Sequence, residues 1–79
     1  MDDERVKLTF PENLIKEPII ARLVREHDVT PNIRRANVEE HVGWIVCELT
    51  GSTEAVAGAI DWLREVGVQV DRLEDVVES

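Results

Sequence analysis

Residues 29–50 read VTPNIRRANVEEHVGWIVCELT, from Val29 to Thr50. In the second half, Ile45, Cys47 and Leu49 fall on one side of an extended chain and Val42, Trp44 and Val46 on the other. A run this short that is apolar on both sides is a strand covered on both faces, or one that expects to be. In the first half, residues 32–38 carry more polar than apolar side chains, which suits an edge strand with one side open to other chains. Glu39, Glu40 and His41 form the turn of a hairpin. They lack the Asn-Gly or Asp-Gly pair that would pin its register.

Upstream, Val6, Leu8 and Phe10 alternate with Arg5, Lys7 and Thr9, the period of a strand buried on one face. Pro11 has no N–H for a ladder and ends it. Pro18 suits the first turn of a helix, where a missing N–H costs nothing. Ile19, Ile20, Leu23, Val24 and His27 then recur at three- and four-residue spacing as one apolar stripe. Downstream, Ser52 is a helix N-cap, Glu54 complements the positive helix end, and Val56, Ala59, Ile60, Leu63 and Val66 make a second stripe. Gly67 stands where a left-handed C-terminal cap belongs, and Val68 and Val70 begin a last short strand.

The order strand, helix, strand, strand, helix, strand predicts an α+β, ferredoxin-like βαββαβ domain. Right-handed crossovers place both helices on one face of a four-stranded antiparallel sheet. The strands starting at Arg5 and Gly43 are expected in the centre, with residues 32–38 and 68–71 at the edges. The other face is left open. Val42, Trp44 and Val46 there are expected to meet a ligand, a second subunit or a host domain.

Seventy-nine residues make a single domain, with residues 1–4 and 74–79 expected to fray. A chain this short buries only about 60% of its unfolded surface, and such domains often gain stability by pairing with a copy. Apolar residues at 43% and charged residues at 33% indicate a globular rather than a disordered chain. A formal charge of −8 disfavours nucleic acid and anionic membranes, where Lys and Arg must neutralise phosphates. The single Cys47 excludes an internal disulfide and a Cys-rich zinc site, and inside an apolar strand it is expected to be an inert buried thiol. No run is long enough to span a bilayer, and the acidic start is not a signal peptide, so a cytoplasmic chain is expected.

An enzyme needs a nucleophile, a base or a metal in a cleft. His27 is placed at the tail of a helix stripe, His41 and Glu39-Glu40 in a solvated turn, and no GxGxxG, Walker loop or CxxC is present. No catalysis, cofactor or metal is expected. An amide both donates and accepts, so Asn32 and Asn37 near an edge strand suit the ammonium and carboxylate of an amino acid. Asn32 is equally an ordinary turn residue after Pro31. Gly43 either admits a ligand close to the backbone or marks a bulge. Arg34 and Arg35 either line a solvated edge or meet a carboxylate.

Six groups of residues, in order, then carry a resemblance. They are Val6-Lys7-Leu8-Thr9-Phe10, Glu17-Pro18, Asn32-Ile33 with Ala36-Asn37, Gly43 followed by Leu49-Thr50-Gly51, Ala59-Ile60-Asp61-Trp62-Leu63, and Gly67-Val68-Gln69-Val70. Together they resemble the NIL domain, the small module at the C-terminus of the ATPase subunit of methionine ABC importers, also found alone or fused to ferredoxins. Two departures stand out: the family's Asn-Ile-Leu triplet ends here in Arg34, and the hairpin turn is shorter. The resemblance implies an ACT-like fold, pairing into dimers, and binding of methionine or a related amino acid near the subunit boundary. It implies Asn32 and Ile33 as ligand contacts, with Asn37 and Gly43 as further ones.

The leading expectation is a homodimeric amino-acid-binding regulatory domain, with methionine as first candidate and Val42, Trp44, Val46 and Arg34 at the interface. No ATPase precedes the domain within these residues, so it is expected to act as a stand-alone chain. The competing expectation is a protein-interaction module that docks on an enzyme of sulfur-amino-acid metabolism and binds no metabolite. It would use the same open face, with Trp44 as anchor.

Overall fold

The computed structural model describes residues 2–73. The period-two pattern at Val6, Leu8 and Phe10 gives β1 (Asp2–Pro11), which buries those three side chains and leaves Arg5, Lys7 and Thr9 half-buried on its other face. A short 3-10 turn (Glu12–Leu14) leads to α1 (Ile19–Glu26). β2 (Val29–Val38) and β3 (Val42–Gly51) form the hairpin, and α2 (Thr53–Val66) and β4 (Gln69–Arg72) follow. The strands pair antiparallel in the order β2-β3-β1-β4, so β1 and β3 are central, as the pattern predicted.

Both helices lie on one face because both carry a single apolar stripe. Ile19 and Leu23 of α1 and Val56, Ala59, Ile60 and Leu63 of α2 are buried against Val6, Leu8, Phe10, Cys47, Leu49, Val29, Val68 and Val70. Each such aliphatic side chain, fully buried, contributes about 1.5–3 kcal/mol. Both ends of α2 are closed by the expected residues. The Ser52 Oγ accepts from the Ala55 N–H at 3.0 Å, and Gly67 adopts φ 109° with its N–H on the last-turn carbonyls.

Four local differences from the sequence reading have physical reasons. Residues 2–4 belong to β1, because β3 continues to Gly51 and offers them partners. Glu4 there is buried, and the Arg72 Nη1 donates to its Oε1 at 3.2 Å. β2 begins at Val29, so Pro31 sits inside a strand opposite Leu49; this is tolerated because β2 is an edge. Val24 is 51% exposed rather than part of the stripe, since α1 is short and buries only Ile19 and Leu23 fully. The register of β2 shifts between Ile33 and Arg35, which makes Arg34 the extra residue of a β-bulge. Residues 74–79 and Met1, expected to fray, lie outside the described residues.

Gly51 closes β3 where the chain runs tight against the end of α1. A Cβ there would stand 2.8 Å from the Asp28 carbonyl oxygen, too close for any larger residue without backbone movement.

Candidate functional site

The face of the sheet without helices is covered from within. Val46 lies opposite Lys7 on one side and Arg35 on the other, and it is only 1% exposed. Trp44, one pleat along, is half-buried. The Lys7 Nζ sits 5.3 Å and the Arg35 Cζ 5.9 Å from its ring centroid. Long cationic side chains lay their methylene stems along apolar surface and keep their charge in water. Lys7 and Arg35 are thus the cross-strand neighbours of Val46 on this face. Val42, at the end of the sheet, stays 39% exposed.

Two concavities remain. A polar recess of about 490 Å³ is lined by Asp3, Asn32, Ile33, Arg34, Glu48 and Thr50. The bulge throws Arg34 across the strand, so that its Nε and Nη2 both donate to the Glu48 Oε1, the Nε at 2.7 Å. Thr50 Oγ1 donates to the Asp3 Oδ1 at 2.7 Å, and Asn32 stands opposite Glu48 in the ladder. Glu48 was legible as a neighbour of Trp44 and Val46 on the open face. Asp3 was hidden because residues 1–4 read as a loose end.

The second concavity is apolar, about 200 Å³, between the start of α1 and the end of the hairpin. Phe10, Leu14, Ile15, Ile19, Ile20 and Val38 supply most of its wall, with Gly43, Trp44 and Ile45 from β3. The His41 Nδ1 pairs with a carboxylate oxygen of Glu12, joining the hairpin turn to the 3-10 turn. Leu14 and Ile15 were not singled out in the sequence, although an apolar pair inside a loop was a signal that something covers it.

The expected ligand residues therefore divide. Asn32, Ile33 and Arg34 share the polar recess, and Gly43 and Trp44 line the apolar pocket. Asn37 donates through Nδ2 to the Glu39 Oε1 at 3.2 Å. Asn32 and Asn37 face Glu48 and Trp44, which are about 13 Å apart along β3, so in one chain the two amides do not hold one amino acid between them.

Cys47 is fully buried between β1 and β2, and burial pushes its thiol from 9.0 up to about 11. That is the behaviour of an inert core cysteine rather than a reactive one. Among the described residues, no three His, Cys, Asp or Glu side chains gather as a metal site requires. No helix among them is long and apolar enough to cross a membrane.

A four-stranded antiparallel sheet in this order with both helices on one face is a ferredoxin-like, ACT-like architecture. The ACT domain of a GTP pyrophosphokinase from Chlorobium tepidum shares the fold at a TM-score of 0.63, with 21% identity, over 90% of this chain and 96% of that one. Residues 4–72 match the NIL domain model, and the chain belongs to the NIL domain family. A methionine import ATP-binding protein, MetN, from Helicobacter pylori is 32% identical over 73 residues, 87% of this chain and 22% of that protein. The chain thus spans about a fifth of the curated relatives it matches. The C-terminal domain of an ABC transporter ATP-binding protein from Enterococcus faecalis superposes with a TM-score of 0.79 at 26% identity, over 91% of this chain and 84% of that one.

Proposed function

We propose that this NIL domain is a cytoplasmic, non-catalytic sensor that binds an amino acid, methionine first among candidates, and works as a homodimer. The observation that carries the reading is that Asn32 and Ile33 share one recess on an edge strand. The methionine importers among its relatives supply the ligand class. The outer side of β2 can accept a second strand, and the exposed Ile33 and Val38 lie along it. A second copy there would wall the recess, so that ligand and pairing become linked. A ligand shifts such an equilibrium only by preferring one arrangement of the pair.

Calorimetry with L-methionine should give saturable binding that weakens in Asn32→Ala while circular dichroism stays unchanged. A ligand at about 100 times its Kd adds about 2.7 kcal/mol, a clear rise in melting temperature. If no sulfur-containing or branched-chain amino acid at millimolar concentration raises that temperature, the reading is wrong.

One feature favours a second reading, docking to an enzyme of sulfur-amino-acid metabolism. The apolar pocket has the exposed Val38 in its wall, a suitable seat for an apolar anchor. Binding to such a purified enzyme that is lost in Val38→Asp and indifferent to amino acids would favour it.

A further inference from the structure

The polar recess holds two carboxylates, Asp3 and Glu48, and one guanidinium, Arg34. Both Arg34 hydrogen bonds land on a single Glu48 oxygen instead of spanning the carboxylate. A guanidinium fork is strongest when its two N–H groups meet two oxygens. The pair is also open to solvent, with the Arg34 side chain 58% exposed. Exposed pairs contribute little, so an arriving carboxylate displaces this one readily. Among the described residues, the hydrogen bond that Asp3 accepts comes from a neutral hydroxyl, that of Thr50.

From this we infer that Arg34, Glu48 and Asp3 form the headgroup subsite for a zwitterion. The ligand carboxylate takes the place of Glu48 on Arg34, and the ligand ammonium settles between the released Glu48 and Asp3. The inference rests on the amino-acid reading above and adds the residues that read the charged end.

Each simpler ligand leaves something unmet. A carboxylate alone brings a third negative charge beside Asp3 and Glu48, which repel it. An ammonium alone finds Glu48 still held by Arg34. A zwitterion exchanges one imperfect pair for two charge-assisted ones. Asn32 stands beside Glu48 as a donor and acceptor, and Ile33, 54% exposed, is the apolar member of the lining. The subsite therefore reads the α-amino acid group.

The test uses the full chain and calorimetry with L-methionine, its methyl ester, and 4-(methylthio)butanoate, which lacks the amine. The wild-type chain should bind methionine at least about tenfold more tightly than either analogue, the scale of one lost charged hydrogen bond. Arg34→Gln should weaken methionine and erase the difference between acid and ester, and Arg34→Lys should restore part of it. Glu48→Gln should reduce the difference between methionine and the amine-free acid, because Asp3 alone then faces the ammonium. Wild-type binding of acid and ester alike, or equal methionine affinity in wild type, Arg34→Gln and Glu48→Gln, overturns the subsite and leaves the amino-acid reading standing. A wild-type chain that binds none of the three overturns both.

Discussion

Cys47 gives a prediction whose size follows from its surroundings. The thiol is fully buried in the sheet, and burial raises its pKa from 9.0 to about 11. Below pH 9 the folded and unfolded chains both keep the proton, and the group contributes no pH dependence. Between pH 9 and 11 the unfolded chain loses a proton that the folded chain retains, so stability falls as pH rises. The two-unit shift amounts to roughly 1 kcal/mol at pH 10 and roughly 2–3 kcal/mol beyond pH 11. Urea or thermal unfolding of the wild type and Cys47→Ala at pH 7 and pH 10 would measure it. Cys47→Ala lowers stability at both values by leaving a cavity, so the informative quantity is the change in the gap between the two proteins. That gap should narrow by roughly 1 kcal/mol at pH 10, a melting shift of several degrees for a domain this size. Parallel pH profiles would refute the reasoning, as would rapid modification of Cys47 in the folded chain by a thiol reagent at pH 8.

Gly51→Ala should cost about 1–3 kcal/mol in urea unfolding, because its Cβ meets a backbone carbonyl 2.8 Å away that cannot swing aside. Arg72→Ala should cost about 1–3 kcal/mol by leaving Glu4 buried without its guanidinium, and Glu4→Gln combined with it should recover part of the loss. In a Trp62→Phe background, Lys7→Ala with Arg35→Ala should increase acrylamide quenching of Trp44 and lower stability by about 1–2 kcal/mol. Unchanged quenching would mean that the two cations do not roof the ring.

Much of the fold was legible because its signals are local. Ser52 and Gly67 mark the two ends of α2, and Val6, Leu8 and Phe10 announce a one-sided strand within a few residues. What escaped the sequence depends on register. The edge strand was read from residue 32, and only the pairing with β3 shows that it begins at Val29 and takes in Pro31. The bulge at Arg34 carries no glycine to betray it. The cover over Val46 comes from Lys7 and Arg35, which lie 28 positions apart and become neighbours only once three strands align. For the same reason, Asn32 was recognised early, whereas its recess companions Asp3 and Glu48 were not.

The unpaired residue at position 34 has a consequence for how copies of this chain can meet. It divides the rim of the sheet into two stretches, residues 29–33 and 35–38, set out of step with each other. An incoming strand can run true against one stretch or the other, but not smoothly along both. The opposite rim, β4, is only four residues long. Such a molecule has room for a single well-matched neighbour and offers poor ground for an endless row.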